Sequence, residues 1–402
     1  MLSTAQATQA IAAAIPQFES EQVSLVAAAG RILRQDIQAE RDQPPFDRVM
    51  MDGIAIQFAS FAGGQRDFTV QGIQQAGDPV MTLQGGAHCI EIMTGAIMPE
   101  GTDCVVPVER IQIEDGVAVV ATDYQVEASQ FIHPQGSDHV QGSEVLQTGS
   151  RISPMDIAII ASCGLQEVAV SRLPVVRVVS TGNELVAPGQ PIEPQQIRMS
   201  NGPALLAMLG AQGFANCSHD HLPDDLEVLQ QKLRQHLREC DVLILSGGVS
   251  MGKADFVPQV LANLGVMLKF HKISQRPGKP MWFGIGPDEQ VVFALPGNPV
   301  SALVCCRQYV LPAILQASGR RQRPSETAVL AEEVTFRPRL TCFLPVRVAG
   351  DINGRIVATP APTNTSGDFT ALSGTHGYVE LALESEVFPK GAAVPLHRWD
   401  NP

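Results

Sequence analysis

The middle of the chain alternates short apolar runs with longer segments of helical spacing. The runs RVVS, VLILS and VVFAL are almost continuously apolar, which is typical of strands buried on both faces. Around them, PALLAMLGAQGF, DDLEVLQQKLRQHL, FVPQVLANLG and PVSALVCCRQYVLPAIL repeat their apolar positions with a helical period. This alternation predicts a mainly parallel sheet with helices on both sides, an αβα domain over residues 174–322.

The segments before this domain follow two other patterns. Residues 3 to about 34 have helical spacing in two pieces, which are separated near Pro16 and end near Gly30. From 47 to 145 the chain consists of short β-type runs such as FTVQGI and HCIEIMTG, separated by glycine turns. This second pattern predicts a β-rich insertion.

Two further elements are predicted outside these segments. Ser153-Pro154 is a good helix start and Gly164 a good stop, so we expect one helix between them. After RRQRPSE, runs such as VLAEEVTFRP, FLPVRVAG and YVELAL alternate with a period of two. They predict a small C-terminal β domain.

Composition limits the classes of partner. The chain has 402 residues, which predicts several domains. No apolar run approaches the ~20 residues that span a bilayer, and the N-terminus lacks the basic and apolar blocks of an export signal. We therefore expect a cytoplasmic protein with no membrane partner. A formal net charge of -13 and only 5% aromatic residues argue against a nucleic-acid surface.

The cysteines favour the same compartment. Eight of them are scattered along the chain without a C-x-x-C pair, and most lie in apolar stretches such as SALVCCRQYV. We therefore expect reduced core residues, in preference to zinc ligands or redox-active thiols.

Three predicted strands run into unusual loops, STGNEL, SGGVSMGKAD and LPGNPVS. In an open parallel sheet, ligands bind beyond the carboxyl ends of the strands. The second loop offers Gly247, Gly248 and Ser250 as a cradle for an anion, followed by Asp255. In the third loop Pro299 fits the first helical position, which makes Asn298 a natural N-cap. Each loop alone is compatible with ordinary turn chemistry, but the set indicates a phosphate site.

The second loop resembles a nucleotide P-loop in part. The spacing Gly247-x-x-x-x-Gly252-Lys253 fits, but the next position must be Ser or Thr to bind magnesium, and here it is Ala254. A P-loop NTPase therefore remains the weaker alternative, and Asp255 is a candidate metal ligand in place of the missing hydroxyl.

Cations and carboxylates are concentrated in other loops. KFHKISQRPGKPMWF carries four cations, and its Pro277-Gly278 turn can aim Arg276 and Lys279 at one oxyanion, although a solvated face remains open. Either Asp224 or Asp225 can cap the helix that follows LPDDL. Oxygen ligands near a phosphate suit magnesium. The carboxylates in loops are Asp52, Asp138, Glu184, Asp224, Asp225 and Asp255.

Six stretches together resemble the molybdopterin molybdenumtransferase family, which includes MoeA and the gephyrin E domain. They are FDRVMMDGIAI, EIMTGAIMPEG, STGNEL, LSGGVSMGKADF, RPGKP and LPGNPVSA, in family order. The resemblance implies a multidomain α/β fold. Its parts are an elongated dimerisation domain (1–46 plus 146–173), an inserted β-rich domain (47–145), an αβα molybdopterin-binding domain (174–322) and a C-terminal β-barrel (323–402).

The same resemblance implies an activity and partners. Members of the family insert molybdate into adenylylated molybdopterin and release AMP and molybdenum cofactor in the presence of Mg2+. A homodimer is implied because the family site lies between subunits. The adenylyltransferase of the same pathway is a further candidate partner.

The resemblance also assigns roles to residues of this chain. Asp52, Thr94, Glu184, Asp224 and Asp255 are expected to be catalytic, and Glu184 and Asp255 to bind the metal. The residues expected to bind substrate are Ser246, Gly247, Gly248 and Ser250 for the pterin or its phosphate, Arg276 and Lys279 for molybdate and other anions, and Asp138, Pro296 and Pro299.

The chain departs from the family pattern at three places. His133-Pro134-Gln135 stands where the family has an arginine-rich run, Asn183 where it has Asp, and Val49-Met50 and Ile54 flank the MDG motif in place of Ser-Ala and Tyr. A noncatalytic, pterin-binding member of the family is therefore the alternative function.

Overall fold

The computed structural model describes residues 1–248, 256–322 and 324–400. The chain divides into two compact units. The first comprises Met1–Arg34, Thr148–Ser153 and Val168–Pro402, and the second comprises Gln35–Gln147 and Pro154–Glu167. The prediction of four domains is finer than this division and remains a prediction.

The first unit contains the predicted αβα domain. Six strands of its described part lie side by side in the order Cys217–Leu222, Val176–Thr181, Val242–Ser246, Val291–Leu295, Trp282–Ile285 and Met267–His271. The first four are parallel, and the last two are antiparallel to their neighbours. The predicted mainly parallel sheet is confirmed.

Helices cover both faces of this sheet, which explains the continuous apolar runs. In the strand Val242–Ser246 every residue is buried. Val242 and Ile244 pack into one core, against Thr4–Ala14, Asn201–Ala211 and the helical segment from Pro299 to Ala317. Leu243 and Leu245 pack into the other core, against Leu226–Glu239 and Val257–Asn263.

The segment from Pro299 to Ala317 is the most apolar helix of this unit. It consists of Pro299–Cys305, a π-helical turn Cys306–Val310, and Leu311–Ala317. By length and composition it could cross a membrane, but 78% of its apolar window is buried inside the fold. It is therefore placed as a core helix.

The N-terminal segment departs from the sequence prediction. Thr4–Ala14 is a helix, with a capping box in which Ser3 Oγ accepts from Gln6 N at 3.2 Å. The predicted second helical piece is wrong over Ser20–Ser24, which is a strand paired with Glu167–Ser171, and only Leu25–Ala28 is helical. Pairing with a strand far along the chain overrides the local helical spacing.

The C-terminal β domain closes into a barrel, as the family resemblance implies. Five strands form the ring, because Thr341–Gly350 pairs with both Ile356–Pro360 and Gly377–Leu381. The other two strands, Glu326–Leu330 and Ala393–Arg398, complete it. The short strand Gln275–Arg276 extends the sheet beside Thr341–Gly350. Outside the ring, Val334–Thr335 pairs with Val387–Phe388, and Phe369–Leu372 is a 3-10 turn.

The second unit is the predicted β-rich part. Its described strands form one sheet in the order Cys104–Pro107, Gly53–Ile56, His88–Ile92, Asp67–Gln74, Val117–Val120 and Ile111–Glu114. All neighbours in this sheet are antiparallel except Asp67–Gln74 and His88–Ile92. Gly53 is obligatory here, because a Cβ atom would lie 1.9 Å from the carbonyl oxygen of Val106.

Smaller elements complete both units. The helix predicted from Ser153-Pro154 is confirmed as Pro154–Ser162, and Gly164 follows it with a φ of 76°. The remaining elements are the helix Phe58–Ala62, the 3-10 turn Val108–Arg110, and the paired short strands Arg48–Val49 with Ile132–His133, Ile37–Gln38 with Glu144–Leu146, and Leu185–Val186 with Ile197–Arg198.

An ion pair stabilises the amino-terminal edge of the central sheet and makes the stability of the fold depend on pH. Asp241 accepts from Arg172 at 2.8 and 2.9 Å and from Val175 N at 2.7 Å. Burial alone would raise the pKa of Asp241, but these hydrogen bonds outweigh it and hold the pKa below its ordinary value of 3.8. A carboxylate of this kind stabilises the fold above its unfolded pKa, and the stabilisation is lost as pH falls through the folded pKa.

We therefore expect Asp241→Asn to cost about 1–3 kcal/mol of unfolding free energy at pH 7. Thermal unfolding at a series of pH values measures it, and the difference from the unsubstituted protein should narrow as pH falls below 3.8 and through the lowered folded pKa of Asp241. The control is Glu21→Gln, which weakens the pair between an exposed carboxylate and Arg31 and should have a much smaller effect. A pH-independent loss in Asp241→Asn would contradict the electrostatic explanation.

Candidate functional site

Three predicted loops start at the same edge of the central sheet. Ser180, Ser246 and Leu295 are register partners on parallel strands, so the strand ends coincide. The loops are in contact, because Gly247 N donates to the carbonyl oxygen of Leu295 at 3.2 Å. The loops STGNEL, SGG and LPGNP therefore begin at one edge of the sheet, as predicted.

Glycines make this edge a shallow cradle of backbone. Gly247 and Gly248 have φ values of 104° and 65°, where side chains are strained. A Cβ atom at Gly247 would lie 2.6 Å from the carbonyl oxygen of Thr181, and one at Gly248 would lie 2.7 Å from Val257 Cγ2. The cradle therefore has no room for side chains at these two positions, because its backbone lies against Thr181 and Val257. Ser250 and Asp255, predicted farther along this loop, lie outside the described residues.

Asn201 joins two of these loops and was missed from the sequence. Its Nδ2 donates to Ser246 Oγ and to the carbonyl oxygen of Gly297, both at 2.8 Å. Its Oδ1 and the hydroxyl oxygen of Thr181 are buried and have no hydrogen-bond partner among the residues that the structure describes. Buried oxygens without partners are costly, so they indicate a ligand at this edge. The available signal was an Asn beside Gly202 at the first position of a helix.

Hydrogen bonds join the loops that carry the carboxylates of this edge. Asn183 Oδ1 accepts from Asp224 N at 3.1 Å, and His221 Nε2 donates to the carbonyl oxygen of Gly182 at 2.9 Å. Asp225 is the helix cap, because its carboxylate accepts from Val228 N at 2.9 Å. The alternative left by the sequence is thus resolved: Asp224 is not the cap and lies beside Asn183.

The donor chemistry of this edge fits Mg2+. The Glu184 carboxylate is exposed and folds back over Gly182, where a Cβ atom would lie 2.6 Å from Glu184 Oε2. Within residues 1–248, 256–322 and 324–400, no three His, Cys, Asp or Glu side chains form a metal cluster. One or two carboxylates with substrate phosphates and water are the usual magnesium ligands, so the set fits. Asp255, the other predicted ligand, falls outside the described residues.

The predicted cationic loop presents two side chains to solvent. Arg276 and Lys279 are exposed, and neither side chain has a hydrogen bond or ion pair with another described residue. The turn between them is closed by Ile273 N, which donates to the carbonyl oxygen of Lys279 at 2.9 Å. A Cβ atom at Gly278 would lie 3.6 Å from the carbonyl oxygen of Ser301, so the turn lies against the helix that starts at Pro299.

The proline loop agrees with the prediction except in its capping hydrogen bond. Pro296 is buried, and Pro299 is the first helical residue as predicted. Asn298 is the N-cap residue as predicted, but its side chain makes no capping hydrogen bond, and its Nδ2 donates to Ser366 Oγ at 2.7 Å. The carbonyl oxygen of Ser366 accepts from Val300 N at 3.1 Å instead.

In the second unit, Asp52 and Thr94 are joined directly. They flank strands that pair in the register Gly53 to Ile92. Thr94 donates to Asp52 Oδ1 from its amide and from its hydroxyl, both at 2.7 Å. These two hydrogen bonds hold the pKa of Asp52 below its ordinary value of 3.8. Asp52 is therefore an anion at neutral pH, with its second oxygen unshared with Thr94.

Asp138 in the same unit is contacted by His133, one of the departures from the family pattern. His133 Nε2 and Asp138 Oδ1 are 3.1 Å apart, and Arg48 Nη2 and His133 Nδ1 are 3.0 Å apart. A guanidinium only donates, so Nδ1 accepts and Nε2 carries the proton that is shared with Asp138. Arg48 thereby supplies a cation next to the position where the family has its arginine-rich run.

Comparisons with known proteins agree over the whole chain. The family model described as MoeA N-terminal region (domain I and II) matches residues 2–164, the model of a probable molybdopterin binding domain matches 177–316, and the MoeA C-terminal region (domain IV) matches 327–399. A molybdopterin molybdenumtransferase of Synechocystis sp. is 38% identical and covers 99% of this chain and 100% of its own length.

Two further relatives extend the comparison. A molybdopterin molybdenumtransferase of Bacillus subtilis is 30% identical over 94% of this chain and 90% of its own length. The solved structure of the molybdopterin biosynthesis MoeA protein from Pyrococcus horikoshii OT3 superposes with a TM-score of 0.82 at 26% identity, over 98% of this chain and 100% of that one.

The αβα domain, with a glycine cradle at the carboxyl edge of its sheet, therefore has the architecture of the molybdopterin-binding class. The predicted multidomain α/β fold is confirmed by the same matches. The chain as a whole belongs to the MoeA family of molybdopterin molybdenumtransferases.

Proposed function

We propose that this chain is a molybdopterin molybdenumtransferase of molybdenum cofactor biosynthesis. It takes adenylylated molybdopterin, inserts molybdate at the dithiolene and releases AMP. The observation that carries the proposal is the glycine cradle with the orphaned oxygens of Thr181 and Asn201, within the segment matched by the molybdopterin-binding model. The names of the full-length relatives supply the reaction class.

The cradle binds the pterin end and its phosphate. Gly247 and Gly248 carry no side chain after the strand that ends at Ser246, and close approach of a phosphate requires this absence of side chains. Pro296 and Pro299 belong to the neighbouring loop, and Pro299 is the first residue of the helix that follows it.

The carboxylate side of the edge handles the phosphoanhydride. Glu184, together with Asp255, would hold Mg2+, which supplies charge neutralisation at the phosphates when it is bound. Asn183 accepts from the backbone amide of Asp224 and so fixes the loop that carries this carboxylate, which is proposed to act on the attacking oxygen of water or molybdate. The attacking oxygen forms a bond to the phosphorus on the pterin side, the phosphoanhydride bond breaks, and AMP leaves with the electron pair of that bond.

Arg276 and Lys279 bind the molybdate dianion on the cationic side. Their two positive charges match the charge of the oxyanion, and their side chains are not engaged by other described residues. Holding the oxyanion near the dithiolene replaces a bimolecular encounter by a reaction within one complex. In the second unit, Asp52, oriented by Thr94, is proposed as a further catalytic carboxylate, and Asp138 as a substrate contact.

The protein is further proposed to act as a homodimer in the cytoplasm. The helix Pro154–Ser162 exposes 71% of Met155 and 36% of Ile159 and buries only Ile160, which is the character of a helix that a second copy covers. All eight cysteines are free thiols, in keeping with a reducing compartment. The enzyme that adenylylates molybdopterin is the proposed source of the substrate.

The purified protein tests this function when it is mixed with adenylylated molybdopterin, molybdate and Mg2+. We expect AMP release that requires both molybdate and Mg2+. Stoichiometric binding of the pterin with its AMP linkage unchanged over hours would instead support the noncatalytic alternative. Thermal stabilisation by ATP and Mg2+ in the absence of pterin would support the P-loop NTPase.

A further inference from the structure

A π-helical turn interrupts the long core helix behind the cationic loop. It spans Cys306–Val310, and such turns are frequent at functional sites. Its three polar side chains all bind other elements. Arg307 Nε donates to the carbonyl oxygen of Arg398, Gln308 Oε1 accepts from Tyr378 at 2.7 Å, and Tyr309 donates to Gln275 Oε1.

The contact between Tyr309 and Gln275 is buried. The exposed fraction of Tyr309 is 2% and that of Gln275 is 0%. Burial raises the pKa of Tyr309 far above its ordinary value, so the phenol keeps the proton that it donates. The other end of the amide is used as well, because Gln275 Nε2 donates to the carbonyl oxygen of Pro277 at 3.0 Å and to Cys305 Sγ at 3.6 Å. The orientation of the Gln275 amide is therefore fixed at both ends.

The turn that carries the two cations lies directly on this amide. Gly278 has a φ of 89°, and a Cβ atom there would lie 2.4 Å from Cys305 Sγ and 2.7 Å from Gln275 Nε2. Cys305 Sγ also donates to the carbonyl oxygen of Gly278 at 3.6 Å. Arg276 and Lys279 flank this anchored turn, so the position of the turn sets the spacing of their backbones.

We propose that Gln275 and Tyr309 are positioning residues for Arg276 and Lys279, and that the π-helical turn places the Tyr309 hydroxyl on Gln275. The identity of the bound anion as molybdate rests on the proposed function. The two exposed cations have to be brought together around one dianion. A turn that is already fixed reduces the conformational entropy that binding removes, which improves anion affinity without touching the anion.

Three variants test the proposal: Tyr309→Phe, Gln275→Met and the double variant. Tyr309→Phe should raise the KM for molybdate roughly three- to tenfold, the range expected for loss of one hydrogen bond. Gln275→Met also removes the hydrogen bonds to Pro277 and Cys305, so it should raise this KM at least as much. Both single variants should leave kcat at saturating molybdate within about twofold. Each single variant should also lose thermal stability, because it leaves a buried partner unsatisfied. The double variant should recover part of the stability and keep the raised KM.

Tyr378→Phe is the matched control. It removes the other tyrosine hydroxyl bound to the same turn, through Gln308, and should lower Tm without changing the KM for molybdate. The positioning role would be overturned if Tyr309→Phe had the same KM for molybdate as the unsubstituted protein. It would also be overturned if the rise in KM were proportional to the fall in Tm across all four variants.

Titration calorimetry with molybdate alone separates this inference from the proposed function. The Kd for molybdate should rise in Tyr309→Phe and Gln275→Met by the same factor as the KM. If the unsubstituted protein binds molybdate but releases no AMP, the proposed function fails, and the comparison of Kd values still decides the positioning role. Equal Kd values in all variants would contradict it.

Discussion

Replacing Glu184 by Gln should lower Mg2+-dependent AMP release by at least about a hundredfold and change the affinity for adenylylated molybdopterin by less than about tenfold. The exposed Glu184 carboxylate, in the loop after the strand Val176–Thr181, is the proposed Mg2+ ligand among the described residues. The amide keeps the size of the side chain but removes its charge. The pterin cradle of Gly247 and Gly248 is left intact, so substrate binding should persist.

The measurement compares AMP release over a range of Mg2+ concentrations with direct calorimetry of Mg2+ binding. Glu184→Gln should need more Mg2+ for half-maximal rate and should bind Mg2+ more weakly. Glu193→Gln is the control, since Glu193 is also exposed in the segment after the same strand and its carboxylate contacts Gln195. An equal loss in Glu193→Gln, or a loss with unchanged Mg2+ dependence, would contradict the assignment.

Asp52→Asn should lower AMP release by about a hundredfold or more, the usual contribution of a catalytic acid or base. The asparagine Oδ1 can still accept both hydrogen bonds from Thr94, so the local structure should be kept while the negative charge is lost. Because those hydrogen bonds lower the pKa of Asp52, the carboxylate stays charged as pH falls to about 4, and its own protonation should not limit the rate above that pH.

Asp78→Asn is the matched control for Asp52→Asn. Asp78 is an exposed aspartate of the same unit, and its Oδ2 accepts from Gln75 N at 3.2 Å, which also makes it a turn-forming carboxylate. The control should retain nearly full AMP release. If the loss of AMP release in Asp52→Asn comes with a large fall in Tm, the loss reflects unfolding, and Asp52 has a structural role instead. An equal loss of activity in both variants would lead to the same conclusion.

The fold of the αβα domain was predictable because burial on both faces leaves a direct mark on the sequence. Val242–Ser246 and Val291–Leu295 are continuous apolar runs, and both are wholly buried. The loops after them carry glycines where the backbone approaches other backbone closely, as at Gly247. Candidate residues at the strand edge therefore followed from local pattern and the rule for parallel sheets.

Other features depend on contacts between segments far apart in sequence. Ser20–Ser24 has helical spacing but pairs with Glu167–Ser171, and its own sequence does not identify that partner strand. The Asn298 side chain makes no capping hydrogen bond and donates instead to Ser366, 68 residues away. Asn201 and the Tyr309–Gln275 contact likewise connect loops whose proximity is defined only once the sheet has formed.

The departures from the family pattern acquire physical roles in the structure. His133 links Asp138 to Arg48, so a cation is present near Asp138 although the arginine-rich run is absent. Asn183 holds the loop of Asp224 through its amide oxygen, a bond that an aspartate could also accept.

The central claim is that metal insertion and AMP release occur together on this protein. A single-turnover experiment measures both, by quantifying free AMP and protein-bound or pterin-bound molybdenum after mixing enzyme, adenylylated molybdopterin, molybdate and Mg2+. The account predicts equal amounts of AMP and inserted molybdenum, and neither product when Mg2+ or molybdate is omitted. AMP released without molybdenum insertion, or pterin that stays bound with its AMP linkage intact, would contradict it.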